Sequence, residues 1–113
     1  MDELAARECS ACRADAPQVT PQQCELLLGQ LPQWQLIDID GVKQLSRVYV
    51  CKSFLDAMAQ AEKIAEIAEQ ENHHPALLVE WGKLTVTWWT HKIKGLHEND
   101  FVMAARTDGL FRL

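Results

Sequence analysis

Two strand-like segments, each broken by a short turn, flank one long segment with helical periodicity, and this pattern limits the folds open to the chain. In residues 34–50 the turn is Asp40-Gly41, a strong signal for a two-residue hairpin. In residues 77–91 the turn is Gly82-Lys83. Between these segments, apolar residues recur at helical spacing from about Phe54 to Glu71. The sequence therefore predicts two β-hairpins joined by a long helix.

Shorter helices are predicted on either side of this unit. Thr20 is a good N-cap, Pro21 suits the first helical position and Gln23 completes a capping box. A final helix is predicted over roughly residues 98–107. The order α-β-β-α-β-β-α favours an α+β fold, with a four-stranded antiparallel sheet and helices packed on one face. The predicted inward face of the long helix consists of Phe54, Met58, Ala61, Ile64, Ala65, Ile67 and Ala68.

The first residues differ in pattern from the rest of the chain. Residues 1–18 show no periodicity and are predicted to form a flexible N-terminal tail, which leaves residues 19–113 as a single domain. The tail carries Cys9-Ser10-Ala11-Cys12, a CxxC pattern that could hold half of a zinc site. A full site needs a second ligand pair at suitable spacing, and Cys24 and Cys51 do not supply one. Free, reduced thiols are therefore favoured over a metal or redox role.

Composition and charge narrow the class of protein. Of the 113 residues, 48% are hydrophobic, which is enough for a core, and 24% are charged. The net charge of -5 and the scattered Lys and Arg residues argue against direct binding to nucleic acid. No apolar segment approaches the roughly 20 residues of a membrane-spanning helix. The N-terminal sequence lacks the basic start and apolar segment of a secretory signal, so a cytoplasmic location is expected.

Three of the four histidines fall where predicted elements end. His73 and His74 follow the long helix, and His91 ends the last predicted strand. Pro75 pushes His74 out of helical conformation, so the two adjacent imidazoles can face one site. Glu69 lies one helical turn before His73 and can orient or charge an imidazole, or it is simply a solvated surface residue. A free imidazole titrates near neutral pH, which suits acid–base chemistry, but a helix C-terminus also favours cations without any catalytic role.

The segment Glu69-Gln70-Glu71-Asn72-His73-His74-Pro75, together with Thr90-His91, resembles the signature of pterin-4a-carbinolamine dehydratases. The pattern is an acidic residue, three intervening positions, His-His-Pro, and a further histidine seventeen residues after the second one. Other segments also fit this family: Leu31-Pro32-Gln33-Trp34, Trp81 to Thr87, Gly95-Leu96, Asp100 and Ala104-Ala105. The resemblance covers roughly residues 21–108. One departure is His97, which stands where the family often has a Ser or Thr helix cap.

The resemblance implies an α+β fold assembled as a homodimer or homotetramer. It also implies that 4a-hydroxytetrahydropterin loses water to give a quinonoid dihydropterin. In this family the substrate comes from an aromatic amino acid hydroxylase, so the activity supports tetrahydrobiopterin recycling and phenylalanine hydroxylation. His73, His74 and His91 would be catalytic, because loss of the 4a-hydroxyl needs positioned acid–base groups. Residues implied to bind substrate or support the histidines are Glu69, Pro75, Trp81 and Asp100. No metal and no cofactor is expected, since the pterin is itself the substrate.

The three histidines are expected to have different roles, and two other functions are open to the chain. We predict that His73 and His91 transfer protons and that His74 positions the substrate. One alternative is a non-catalytic dimerisation or transcriptional-coactivator binding module, since family members in animals are known as partners of transcription factors. The other is a zinc or iron site built from the histidines and Asp100, although adjacent histidines rarely bind one ion and no HxH or HxxxH spacing occurs. The presence of all three histidines favours the enzyme.

Overall fold

The computed structural model describes Leu4 and residues 17–111. Within residues 17–111 the elements are α1 (Pro21–Leu28), β1 (Gln35–Ile39), β2 (Val42–Val50), α2 (Phe54–Glu71), β3 (Ala76–Glu80), β4 (Lys83–Trp88), a 3₁₀ turn (His91–Ile93) and α3 (Glu98–Leu110). None of the helices in this described range has the length and hydropathy that crossing a membrane requires.

The strands of residues 17–111 form one antiparallel sheet in the order β1-β2-β4-β3, as the α+β prediction requires. Asp40 and Gly41 both adopt positive φ, 53° and 81°, which is the conformation of a type I′ turn. The second turn differs from the prediction by one residue. It is formed by Trp81-Gly82, because Gly82 takes the positive φ of 77° and Lys83 already belongs to β4.

The core lies between the sheet and helices α2 and α3. Along β4 the side chains of Leu84, Val86 and Trp88 are fully buried, whereas Thr85 and Thr87 on the opposite face are partly exposed. This alternation places the helices on one face of the sheet and confirms the predicted fold class. Helix α3 contributes a continuous buried segment: Phe101, Val102, Met103, Ala104 and Ala105.

The apolar face of α2 is rotated from the predicted one. Ala57, Ala61, Ile64 and Ala68 are buried, so the small side chains face the sheet and allow close approach. The prediction that Phe54, Met58 and Ala65 face inward is wrong, because these residues are exposed. Helical spacing alone defines an apolar stripe, but long-range packing decides which edge of that stripe meets the core. Helix α2 therefore presents three large apolar side chains, Phe54, Leu55 and Met58, to the surroundings.

The last strand ends earlier than predicted. Strand β4 stops at Trp88 rather than His91, and Thr90 forms an isolated bridge with Gly95. The Thr90 N–H donates to the Gly95 oxygen at 2.9 Å. Lys94 adopts a left-handed conformation, with φ of 50°, and closes the loop. His91 consequently starts a 3₁₀ turn held at its base by this bridge.

Helix α3 is longer than predicted and runs to Leu110. At its start, His97 is the N-cap: its Nδ1 accepts a hydrogen bond from the Asn99 N–H at 3.1 Å. The His97 N–H donates to the Asp100 carboxylate at 2.9 Å, which completes a capping box. At its end, Leu110 packs against the core. This packing extends the helix beyond the predicted end at residue 107.

The predicted flexible tail falls mostly outside the described residues. Of residues 1–18, the structure describes Leu4, which is helical and buried in the core, and residues 17–18. Gln18 Nε2 donates to the backbone oxygen of Ile93 at 2.9 Å, and the Val19 N–H donates to the Leu96 oxygen. The chain is therefore attached to the domain from Gln18 onward. Tail flexibility and the role of Cys9 and Cys12 stay predictions.

Asp108, near the end of α3, accepts hydrogen bonds from side chains of other segments. Trp34 Nε1 donates to both carboxylate oxygens at 3.0 and 3.1 Å, Arg47 donates at 2.7 Å, and the Tyr49 hydroxyl donates as well. Tyr49 also stacks on Phe111. Burial, and then the Asp108 carboxylate, raise the pKa of Tyr49 above its ordinary value near 10. This cluster fastens the end of α3 to β2.

The Asp108 cluster predicts how stability changes at alkaline pH. Above about pH 10 the unfolded chain loses its tyrosine proton while folded Tyr49 keeps it, so stability falls as pH rises. We expect Tyr49→Phe to remove this component of the decline and to cost about 1–2 kcal/mol at pH 7 through the lost hydrogen bond. Urea unfolding of both proteins at pH 7 and above pH 10 measures both effects. Because Tyr49 is the single tyrosine of the chain, an equal alkaline decline in both proteins would contradict the assignment.

Candidate functional site

A left-handed residue at the end of α2 turns the chain into the two-histidine segment. Asn72 has φ of 51° and ψ of 43°, and Asn is one of the few residues that tolerate this conformation. The His73 N–H donates to the Ala68 oxygen at 3.0 Å, in the pattern of a Schellman motif. His73 thus lies just beyond the helix rather than at its last position. The extended link through Pro75 into β3 then lets the two adjacent imidazoles line one pocket.

His73 is buried and paired with a buried carboxylate. Its Nε2 lies 2.7 Å from Asp100 Oδ1, and the two side chains are 3% and 0% exposed. The ring stacks parallel to Trp88, with an angle of 4° between the planes and 5.6 Å between the centroids. A carboxylate can only accept a hydrogen bond, so the Nε2 atom carries the proton that bonds to Asp100. This pair has the arrangement of an oriented general base.

His74 is paired with an acidic residue at the surface. Its Nε2 lies 2.7 Å from Glu69 Oε2, and both side chains are more than half exposed. An exposed ion pair of this kind contributes little to stability, typically about 0–1 kcal/mol. It does orient the imidazole. Glu69 is therefore brought to the histidine cluster, through His74 rather than through His73 as its helical position suggested.

His91 reaches the cluster from the 3₁₀ turn. Its Nε2 lies 3.3 Å from the backbone oxygen of His74. The ring also stacks on Trp89, with 4.3 Å between the centroids. Because a carbonyl oxygen only accepts, Nε2 is the donor and Nδ1 is the remaining basic atom. His91 is exposed, so it can exchange protons with water.

These side chains surround a cavity of about 370 Å³ lined by Asn72, His73, His74, His91 and Lys92. The volume falls within the range of roughly 300–1,000 Å³ that small-molecule sites occupy. A larger cavity of about 650 Å³ lies between α1 and the start of α3, but its lining includes a single histidine, His97. The pocket with three imidazoles is therefore the candidate site.

The predicted site residues separate into two groups. The structure brings His73, His74, His91, Glu69 and Asp100 together, directly or through hydrogen bonds. It does not bring Trp81 to the pocket of this chain. That side chain is 76% exposed at the β3–β4 turn, and His74 and His91 lie at the other end of the same hairpin. Pro75 contributes through the backbone, as the residue between His74 and β3.

Sequence reasoning missed two residues of the lining and one support. Asn72 carried a usable signal, because Asn just after a helical segment often adopts the left-handed conformation. Lys92 carried no signal that separates it from other surface lysines. Thr90 was noted only as part of the Thr-His pattern, yet it is buried and its hydroxyl donates to Asp100 Oδ2 at 2.8 Å. Trp88 packs in the core.

Among the residues that the structure describes, no group of three or more His, Cys, Asp or Glu side chains has the geometry to hold an ion.

The fold and the site define a small α+β protein with a pocket lined by three imidazoles. A sequence profile described as "Pterin 4 alpha carbinolamine dehydratase" matches residues 17–110. A protein of Marinobacter nauticus with the name "Putative pterin-4-alpha-carbinolamine dehydratase" is 59% identical over 111 residues, which cover 98% of this chain and 100% of that one. The crystal structure of a transcriptional coactivator/pterin dehydratase from Brucella melitensis superimposes with a TM-score of 0.74 at 28% identity, covering 83% of this chain and 98% of that chain.

The chain therefore belongs to the pterin-4-alpha-carbinolamine dehydratases, a family of hydro-lyases. This confirms the family resemblance found in the His-His-Pro segment.

Proposed function

We propose that the chain dehydrates 4a-hydroxytetrahydropterin to a quinonoid dihydropterin, with His73 and His91 as the proton-transferring groups and His74 as the group that positions the substrate. The observation that carries this proposal is the buried His73–Asp100 pair at the wall of an open, imidazole-lined cavity. A buried imidazole oriented by a carboxylate is a recurring arrangement for proton transfer in enzymes.

The chemistry needs an acid and a base on one ligand. The 4a-hydroxyl is a poor leaving group as hydroxide, so an acid donates a proton and the oxygen departs as water. The electron pair of the adjacent ring nitrogen forms the new C=N bond, and a base removes the proton that the ring then carries. The sum is loss of one water, with no oxidant or reductant. Each positioned acid or base contributes typically about 10²–10⁴-fold to the rate.

The surroundings of each imidazole support a division of roles. His73 is shielded from water and oriented through Nε2 by Asp100, which suits it to act as the base. His91 is exposed and can be reprotonated from solvent, which suits it to act as the acid. Glu69 orients the His74 ring, and an oriented imidazole suits hydrogen bonding to the polar edge of a pterin. Lys92 adds a cation to the lining.

A hydroxylase is the proposed source of the substrate. A 4a-hydroxytetrahydropterin forms when a tetrahydropterin-dependent oxygenase transfers one oxygen atom to an aromatic amino acid. Removal of its water lets the pterin return to the reduced state, so the proposed activity supports tetrahydrobiopterin recycling and phenylalanine hydroxylation. The Brucella protein is described as a transcriptional coactivator as well. For the present chain, the three imidazoles around one cavity are the observation that favours catalysis over a pure binding role.

The function is tested with freshly generated 4a-hydroxytetrahydropterin and purified protein, following the ultraviolet change on dehydration. We expect a rate proportional to protein concentration and unchanged after dialysis against a chelator, since the proposed mechanism uses no metal. A rate equal to that of buffer alone would contradict the proposal. Loss of activity on chelation, with recovery on return of zinc or iron, would favour metal chemistry instead.

We also propose that the protein is a homo-oligomer, as its exposed apolar side chains suggest. At one end of the domain, Val50, Leu55 and Trp81 are 90%, 80% and 76% exposed. The Cys51 N–H donates to the Gly82 oxygen, which holds the β3–β4 turn beside the start of α2. Phe54 and Met58 extend this apolar patch along α2. Contiguous apolar surface of this kind marks interaction sites, and a second copy of the chain is the proposed partner.

The oligomer predicts an effect of charge at the apolar patch. We expect light scattering to give the wild-type protein two or four times the chain mass of 12.8 kDa at micromolar concentration. Leu55→Glu should lower that mass, because the interface would then bury a charge without a partner. Leu26→Glu is the matched control, since Leu26 is 75% exposed on α1 and its substitution should leave the mass unchanged. A wild-type mass near 12.8 kDa would contradict the proposal.

A further inference from the structure

We infer that Thr90 is a positioning residue for His73 and acts through Asp100. The inference deepens the proposed function and rests on it, since it concerns how the proposed base is aimed at the substrate. Thr90 does not line the cavity, and its hydroxyl lies one hydrogen bond behind the carboxylate that orients the imidazole. The chain of contacts is Thr90 to Asp100 to His73.

The two oxygens of the Asp100 carboxylate have different partners: one is held by two donors, and the other faces His73. Oδ2 accepts from the Thr90 hydroxyl at 2.8 Å and from the His97 N–H at 2.9 Å. Oδ1 faces His73 Nε2 at 2.7 Å. The two donors on Oδ2 come from different segments, so together they fix the rotation of the carboxylate. That rotation sets the direction of Oδ1, and hence the orientation and tautomer of the His73 ring.

Thr90 is itself held in place. Its side chain is fully buried, and its backbone forms the bridge with Gly95 through hydrogen bonds of 2.9 and 3.4 Å. A β-branched side chain has few χ1 options on a fixed backbone, so the hydroxyl has one place to point. The same bridge closes the 3₁₀ turn that carries His91. Thr90 therefore links the two proposed proton-transfer residues to a single rigid support.

A buried threonine can also have a purely structural role, so the substitutions must distinguish that role from the positioning of His73. Thr90→Val keeps the shape and removes the hydroxyl, which leaves a buried carboxylate with one donor fewer. Thr90→Ser restores the hydroxyl without the methyl group. Thr87→Val is the matched control, because Thr87 is on the opposite face of β4 and its hydroxyl bonds to Ser46. Thr90→Ala removes the same hydroxyl and replaces Thr90→Val if that variant does not fold.

The kinetic test compares kcat and KM for dehydration. We expect Thr90→Val to lower kcat by about 10-fold and to change KM by less than about threefold, as loss of a group that acts on the base rather than on substrate binding predicts. Thr90→Ser should recover kcat to within about threefold of wild type, and Thr87→Val should match wild type. A wild-type kcat in Thr90→Val, or a loss that Thr90→Ser does not recover, would overturn the inference.

A second readout needs no substrate. The ¹⁵N chemical shifts of the His73 ring report which nitrogen carries the proton, and we expect the Nε2–H form in wild type and Thr90→Ser. In Thr90→Val a mixture of the two tautomers is expected. This result in a protein without dehydratase activity would leave the positioning role standing and remove the proposed function. Unchanged His73 chemical shifts in a Thr90→Val variant that is still active would remove the positioning role and leave the proposed function standing.

Discussion

His73→Ala is expected to lower kcat for dehydration of 4a-hydroxytetrahydropterin by about 10²–10⁴-fold, the contribution typical of a positioned acid or base. The physical reason is that the variant removes an imidazole that lines the cavity and whose Nε2 is held by Asp100. Steady-state kinetics at neutral pH measure the effect, and circular dichroism and thermal unfolding establish that the variant is folded.

A second substitution separates chemistry from structure at this position. His73→Gln places an amide that can still donate to Asp100 but cannot transfer protons near neutral pH. We expect its unfolding midpoint to be closer to wild type than that of His73→Ala, with kcat still reduced by about 10²-fold or more. Recovery of wild-type kcat in His73→Gln would show that His73 supports the structure alone.

His91→Ala is expected to reduce kcat by about 10²-fold or more, and to do so non-additively with His73→Ala. If the two imidazoles serve one proton-transfer sequence, removal of either interrupts it. The kcat of the double variant should then lie within about tenfold of that of the slower single variant. Its total loss of kcat should be far smaller than the product of the two single losses. Kinetics of the two single variants and the double variant measure this coupling. Fully multiplicative losses would show that His73 and His91 act independently.

His74→Ala provides the contrast within the same cluster. Its expected effect is mainly a higher KM, because it removes an interaction that the ground state and the transition state share. Loss of turnover with unchanged KM would reverse the proposed roles of His74 and its neighbours. Because His74 is half exposed and paired with Glu69 at the surface, its substitution should cost little stability.

Local signals predicted most of the fold. Asp40-Gly41 defined the first hairpin, and Thr20-Pro21 marked the start of α1, because turns and caps depend on the residue that occupies one backbone position. The face of α2 was not predictable in the same way. Helical spacing identified a wide apolar stripe, whereas the choice of Ala57 over Phe54 as a core residue depends on how closely the helix approaches the sheet.

The site shows the same division. Pro75 and the adjacent histidines predicted a corner with two imidazoles, which follows from local backbone preferences. The partner of His73 lies 27 residues further along the chain, and only the family resemblance pointed to Asp100. The role of Thr90 depends on a carboxylate rotation that no sequence pattern encodes. Trp81 was carried over with the motif, and in the folded chain it lies at the far end of its hairpin.

The most direct test of the account is the dehydration rate of a variant in which His73, His74 and His91 are all replaced by Gln. The substitutions keep polar side chains in the pocket and remove every imidazole that lines it. The account predicts that, in the presence of this folded variant, 4a-hydroxytetrahydropterin loses water no faster than in buffer alone. The wild-type protein should accelerate the dehydration in proportion to its concentration. A triple variant with the wild-type rate would place the chemistry elsewhere in the chain and contradict the histidine mechanism.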